Sequence, residues 1–118
     1  MSWILLVDDH DDGREVLAEF LSFNGFEVEG CGSGEDALAR IEERGAPGVV
    51  LTDLTLGAMS GIDLAKKIRG AAATAKVPLV AVTGHVSFAD PDGLFAEILP
   101  KPVPLPRLVD TVKRALGA

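Results

Sequence analysis

The chain has no tyrosine, one tryptophan and one cysteine among its 118 residues. A lone cysteine, Cys31, excludes an internal disulfide and fits a reducing compartment. It reads as a small packing residue and not as a reactive thiol. With so few aromatic rings, the core must be built mainly from aliphatic side chains. Basic residues are also scarce, 11 Lys and Arg against 18 Asp and Glu, for a net charge of -7. Phosphate backbones need clustered Lys and Arg, so direct nucleic-acid binding is not expected. No run approaches the ~20 apolar residues of a membrane span. The apolar opening runs straight into Asp8-Asp9, too short for a signal sequence and without a positive start. The expectation is a soluble, cytoplasmic protein without a membrane partner. A chain 47% hydrophobic and 25% charged is not largely disordered, and its length is that of one domain, residues 1–118.

What is present is a sequence of apolar runs that end on polar residues. Val49-Val50-Leu51-Thr52-Asp53 reads as a buried strand closed by a carboxylate. Trp3-Ile4-Leu5-Leu6-Val7 is a second such run, closed by Asp8-Asp9. Val77-Pro78-Leu79-Val80-Ala81-Val82 ends on Thr83, and Ile98-Leu99 gives a short strand before Pro100-Lys101-Pro102. Phe26-Glu27-Val28-Glu29 alternates apolar and acidic, as a strand with one wet face does. Between these lie helical periods. Val16, Leu17, Phe20 and Leu21 form one, stopped by Asn24-Gly25. Ala37, Leu38 and Ile41 follow Ser33 as N-cap, and Leu64, Ala65 and Ile68 follow Ser60. Leu105, Leu108, Val109, Val112 and Leu116 mark the last helix, with Pro104 and Pro106 before it or in its first turn. Residues 70–75 read equally as linker or frayed helix, and Asp90-Pro91-Asp92 as the cap of a short helix. Strands alternating with helices imply a single α/β domain, a doubly wound parallel sheet covered on both faces.

Parallel strands point one way, so Asp8, Asp9, Asp53, Thr83 and Lys101 gather at one edge, where open α/β sheets bind ligands. Crowded carboxylates repel one another unless a cation sits among them. All-oxygen donors with few carboxylates suit Mg²⁺, which shares its shell with water and phosphate. A Lys offers a point charge to a phosphoryl oxygen and a Thr hydroxyl can donate to another. Together they supply the charge stabilisation that phosphoryl transfer needs, with Asp53 as acceptor. Taken singly, each has a blander explanation. Asp8 and Asp9 could cap a helix, Lys101 could be a solvated loop residue and Thr83 a turn residue. His10 and His85 read as exposed loop histidines, since no second His or Cys stands at ligand spacing.

On Val7-Asp8-Asp9, Asp53-Leu54, Val82-Thr83-Gly84 and Lys101-Pro102, the whole chain resembles a response-regulator receiver domain of two-component signalling. The resemblance implies a flavodoxin-like five-stranded sheet of order 2-1-3-4-5. It implies that Asp53 takes a phosphoryl group from a sensor histidine kinase or a histidine phosphotransfer protein and then switches binding of a downstream protein. It implies Mg²⁺ held by Asp9, Asp53 and the main-chain carbonyl of Thr55, with Asp8 acting mostly through water. Lys101 would contact the phosphoryl group, with a cis bond to Pro102. Thr83 would turn inward to it, Gly84 would leave room, and Thr55 and His85 would tune its lifetime. Such a module supports its own phosphorylation without being a turnover enzyme.

The chain departs from that pattern in places. Ile98 stands where the family has an aromatic switch residue. The stretch from Thr83 to Lys101 is short, so the fourth helix is expected to be shortened or missing. Gly57 replaces a proline, which would loosen that loop. These departures motivate an alternative, a receiver-like interaction module that works without phosphate. An aspartyl phosphatase of the haloacid-dehalogenase type would want an acid at Thr55, and a flavin phosphate would be repelled by Asp8-Asp9-His10-Asp11-Asp12. A stand-alone receiver is the expectation, with the receiver of a hybrid kinase or longer regulator as the other arrangement.

Overall fold

The computed structural model describes residues 2–84, 90 and 93–117. In chain order the elements are β1 (Ile4–Val7), α1 (Asp11–Phe23), β2 (Val28–Cys31), α2 (Gly34–Arg44), β3 (Val49–Asp53), α3 (Gly61–Gly70), β4 (Leu79–Thr83), β5 (Glu97–Pro100) and α4 (Leu105–Ala115). The five strands form one parallel sheet of order β2-β1-β3-β4-β5. The doubly wound α/β expectation and its strand order therefore hold.

Strand side chains alternate between faces, and the core divides accordingly. Leu5, Val7, Val50, Leu79 and Ala81 pack with Ala37 of α2 and Leu64, Ala65 and Ile68 of α3. Ile4, Leu6, Val49, Leu51, Val80 and Val82 pack with Leu21 of α1 and Leu108 and Val112 of α4. β1, β3 and β4 are buried along their whole length, which is why they read as continuous apolar runs. Burying each such aliphatic side chain contributes about 1.5–3 kcal/mol. Cys31 is among the buried packing residues, and burial, with the nearby Glu29 carboxylate adding to it, pushes its thiol pKa up.

Local chemistry sets the helix ends. Ser33 accepts from the Asp36 N–H at 3.1 Å and Ser60 from the Asp63 N–H at 3.0 Å, as N-caps do. Pro104 is the N-cap of α4 and Pro106 lies in its first turn, where a missing N–H costs nothing. Residues 71–77 are turns and bends, so the helical period ends at Gly70.

Two expectations are corrected. β2 begins at Val28, two residues later than the alternation of Phe26–Glu29 indicates, because pairing with β1 starts at Ile4↔Val28 and runs on through Gly30 and Cys31. Of Asp90-Pro91-Asp92, the last two lie outside the described residues, and Asp90 caps no helix among the described ones. At φ 48° its carboxylate accepts the N–H groups of Leu94 and Phe95, both at 2.9 Å, in a segment leading into β5. Gly57 occupies a backbone position that a proline could not take: its φ is 83°, whereas the proline ring fixes φ near −65°. Between β4 and β5 no helix occurs among the described residues.

Candidate functional site

Three strand ends bring the central groups together. Asp8 follows β1, Asp53 closes β3, and Lys101 follows β5. The Lys101 Nζ lies 2.7 Å from Asp53 Oδ2 and 3.5 Å from Asp8 Oδ2. Both carboxylates are buried, at 8% and 6% exposure. Buried carboxylates need partners, and each has them. The Thr55 N–H donates to Asp53 Oδ1 at 3.3 Å, and the His10 N–H donates to Asp8 Oδ1 at 2.9 Å. Burial works against the Lys101 charge, but the hydrogen bond and charge of Asp53 and the charge of Asp8 outweigh it and hold the ammonium above its ordinary pKa. The Lys101 N–H donates to the Thr83 carbonyl at 2.8 Å, locking the ends of β4 and β5 together. The Lys101–Pro102 bond is cis.

Asp9 and His10 complete the acidic end, further out. His10 Nδ1 lies 3.1 Å from Asp9 Oδ1 and 3.4 Å from Asp8 Oδ1. Ligand atoms of Asp8, Asp9, His10 and Asp53 all lie within 4.8 Å of one another. This donor set suits a hard divalent cation bound through a few carboxylates and water. The sequence placed the three acids at one sheet edge. It did not bring His10 among them, because spacing fixes where a residue attaches and not how its ring is turned.

Arg14 supports the site from behind. Its guanidinium donates to the Asp8 carbonyl at 2.7 Å and to the Asp11 carboxylate at 2.8 Å. Its aliphatic stem crosses Gly30 of β2 and its guanidinium lies over Gly32 just beyond; a Cβ on Gly30 would meet the stem, and one on Gly32 the guanidinium, at 3.2 Å. The signal was in the sequence, as two glycines in and beside a strand mark close approach of another group.

The remaining candidates fall at the rim or away from it. Thr83 is buried at the end of β4 and Thr55 is exposed. A Cβ on Gly84 would meet nothing within 4 Å, so space is open there. Pro102 is exposed, and Ile98 is half-buried, packed against the core on the α2–α3 side of the sheet. His85 lies outside the described residues. A groove of about 610 Å³ opens beside the acids, lined by His10, Val16, Leu17, Val82, Pro102 and Val103 among others. Among the described residues no helix is long and apolar enough to cross a membrane.

Comparison with known proteins agrees with this geometry. The family described as the response regulator receiver domain matches residues 4–113. A response regulator receiver protein of Anaeromyxobacter sp. is 37% identical over 115 residues, covering 90% of this chain and 45% of that protein. A putative response regulator from Chloroflexus aurantiacus has a similar structure, with a TM-score of 0.88, 31% identity and 100% of each chain covered. The receiver domain of a sensor histidine kinase from Pseudomonas aeruginosa, solved with a magnesium ion coordinated in its active site cleft, gives 0.87 at 26% identity, covering 99% and 98%. The chain spans 25–45% of the length of the first four curated relatives it matches.

Proposed function

This chain belongs to the response regulator receiver domain family, a signalling module of two-component systems and not a turnover enzyme, and on that premise we propose that it accepts a phosphoryl group on Asp53. The donor is a phosphohistidine on a sensor histidine kinase or a histidine phosphotransfer protein. A carboxylate oxygen of Asp53 forms the new bond to phosphorus as the bond to the histidine nitrogen breaks, and the imidazole leaves with that electron pair. The observation that carries this reading is the Lys101 ammonium 2.7 Å from the Asp53 carboxylate, at the meeting point of three strand ends.

The residues divide the work. Asp53 is held for attack by Lys101 and the Thr55 N–H. Lys101 meets the charge that develops on the transferred group, which fixed groups do without reorganisation. Asp8, Asp9 and Asp53, with the main-chain carbonyl of Thr55, are the residues that would hold Mg²⁺. The ion, when bound, neutralises phosphoryl oxygens and the crowded acids. Gly84 leaves space beside Thr83, whose hydroxyl turns to a phosphoryl oxygen and biases a pre-existing equilibrium between two forms. Thr55 and His85 tune how long the phosphoryl group persists. The partner's histidine enters over the groove beside His10, Val16 and Pro102. The domain works in the cytoplasm, where its donors are.

The test is the intact mass after incubation with a small phosphodonor. Wild type is expected to gain one phosphoryl group in Mg²⁺ and none without it, and Asp53→Asn to gain none. Labelling of Asp53→Asn would move the acceptor elsewhere. A second reading, docking without phosphate, draws on the half-buried Ile98, which offers no aromatic ring to rotate with Thr83. It requires equal affinity of wild type and Asp53→Ala for the downstream protein.

A further inference from the structure

Within the proposed divalent-cation site, and resting on that reading, His10 is the group that a generic cluster of acids would not contain. An octahedral ion with bonds of 2.0–2.1 Å sets neighbouring donor atoms about 3 Å apart. His10 Nδ1 lies 3.1 Å from Asp9 Oδ1 and 3.4 Å from Asp8 Oδ1, so this nitrogen already spans two such edges. The ring is exposed, with 77% of its side chain open to solvent, so turning it toward an ion disturbs no packing. The backbone beneath it is fixed by the His10 N–H on Asp8 and by the Arg14 N–H on the His10 carbonyl at 3.0 Å. The attachment point is therefore rigid while the ring is free to adjust.

Carboxylate and water donors suit Mg²⁺ and Mn²⁺, whereas imidazole suits late first-row ions, whose affinity for nitrogen and oxygen sites rises along the series. We propose that His10 supplies a nitrogen ligand beside Asp8, Asp9 and Asp53, and that this domain therefore takes Ni²⁺ or Zn²⁺ in preference to Mg²⁺ by more than its carboxylates alone would give. Mg²⁺ gains little from the same nitrogen. His10 thus sets which divalent ion occupies the site.

Calorimetric titration of the tag-free chain with Mg²⁺ and with Ni²⁺ tests this. All variants are made on a His85→Ala background, so that His10 is the only imidazole among the chain's two histidines. His10→Ala is expected to lower Ni²⁺ affinity at least tenfold while Mg²⁺ affinity changes less than twofold. Asp9→Asn is expected to weaken both. Equal Ni²⁺ affinity with and without His10 would overturn the proposal, and Mg²⁺ binding that still depended on Asp9 would leave the acidic site standing. A parallel loss of both ions in His10→Ala would also overturn it, since the residue would then act only by shaping the loop. No binding of either ion to the parent chain would remove the cation site itself, and His10's role with it.

Discussion

Lys101 is the residue on which two buried acids depend. With its ammonium removed, Asp53 and Asp8 face each other without a cation, which strengthens their pull on a divalent ion. Lys101→Ala is therefore expected to slow phosphorylation by a small phosphodonor on the order of 10²-fold, the usual cost of removing one charge-stabilising group, while Mg²⁺ binding is kept or tightened. Labelling rates and Mg²⁺ titration measure the two effects separately, and an unchanged rate would take Lys101 out of the transfer step. Asp8, Asp53 and Lys101 were legible in the sequence because each closes a run whose direction the parallel sheet fixes. His10 was not, since its role depends on how its ring is turned, and Arg14 was marked only indirectly, by the glycines it packs over.

Between elements, the junction of β5 and α4 rests on a polar cluster. The Thr111 hydroxyl of α4 donates to the Glu97 carboxylate of β5, and Arg114 donates to it at 2.7 Å. The Thr111 hydrogen bond, joined by Arg114 and opposed by partial burial, holds the Glu97 carboxyl below its usual range. A depressed pKa contributes stability above the unfolded value, and that contribution is lost as pH falls through the folded value. Wild type is therefore expected to lose stability on acidification below about pH 4.5, the ordinary glutamate range, more steeply than Glu97→Gln does. Parallel slopes in acid-induced unfolding of the two proteins would show that the cluster contributes nothing. Residues 97–100 were legible only as Ile98-Leu99, because a four-residue strand half open to solvent shows little pattern. β2 was misplaced by two residues for a related reason. Alternation locates a wet face, whereas the partner strand decides where pairing begins.

For the whole molecule, the acidic site sets a cost that a cation relieves. Asp8, Asp9 and Asp53 crowd one end of a chain whose net charge is already -7. Mg²⁺ is expected to raise the melting temperature of wild type, since a ligand at 100 times its Kd stabilises by about 2.7 kcal/mol. Asp9→Asn is expected to melt higher than wild type without Mg²⁺ and to gain little from it. A full Mg²⁺ response in Asp9→Asn, read by thermal denaturation, would place the ion elsewhere. The sheet order was legible by resemblance, and the two-sided packing by pattern, because fully buried strands leave unbroken apolar runs. The path from Thr83 to β5 was legible only as a shortage of residues for a helix.

The sheet's two outer strands are four residues each. β2 carries Glu29 and Gly30 mid-strand, with Arg40 and Arg44 reaching Glu29 at 3.8 and 3.7 Å. β5 closes on Pro100, which has no N–H to offer. Short, charged and proline-ended edges are poor templates for a strand from another chain. Crowding many copies together, as at high expression, is therefore expected not to recruit these two edges into strand-on-strand stacking.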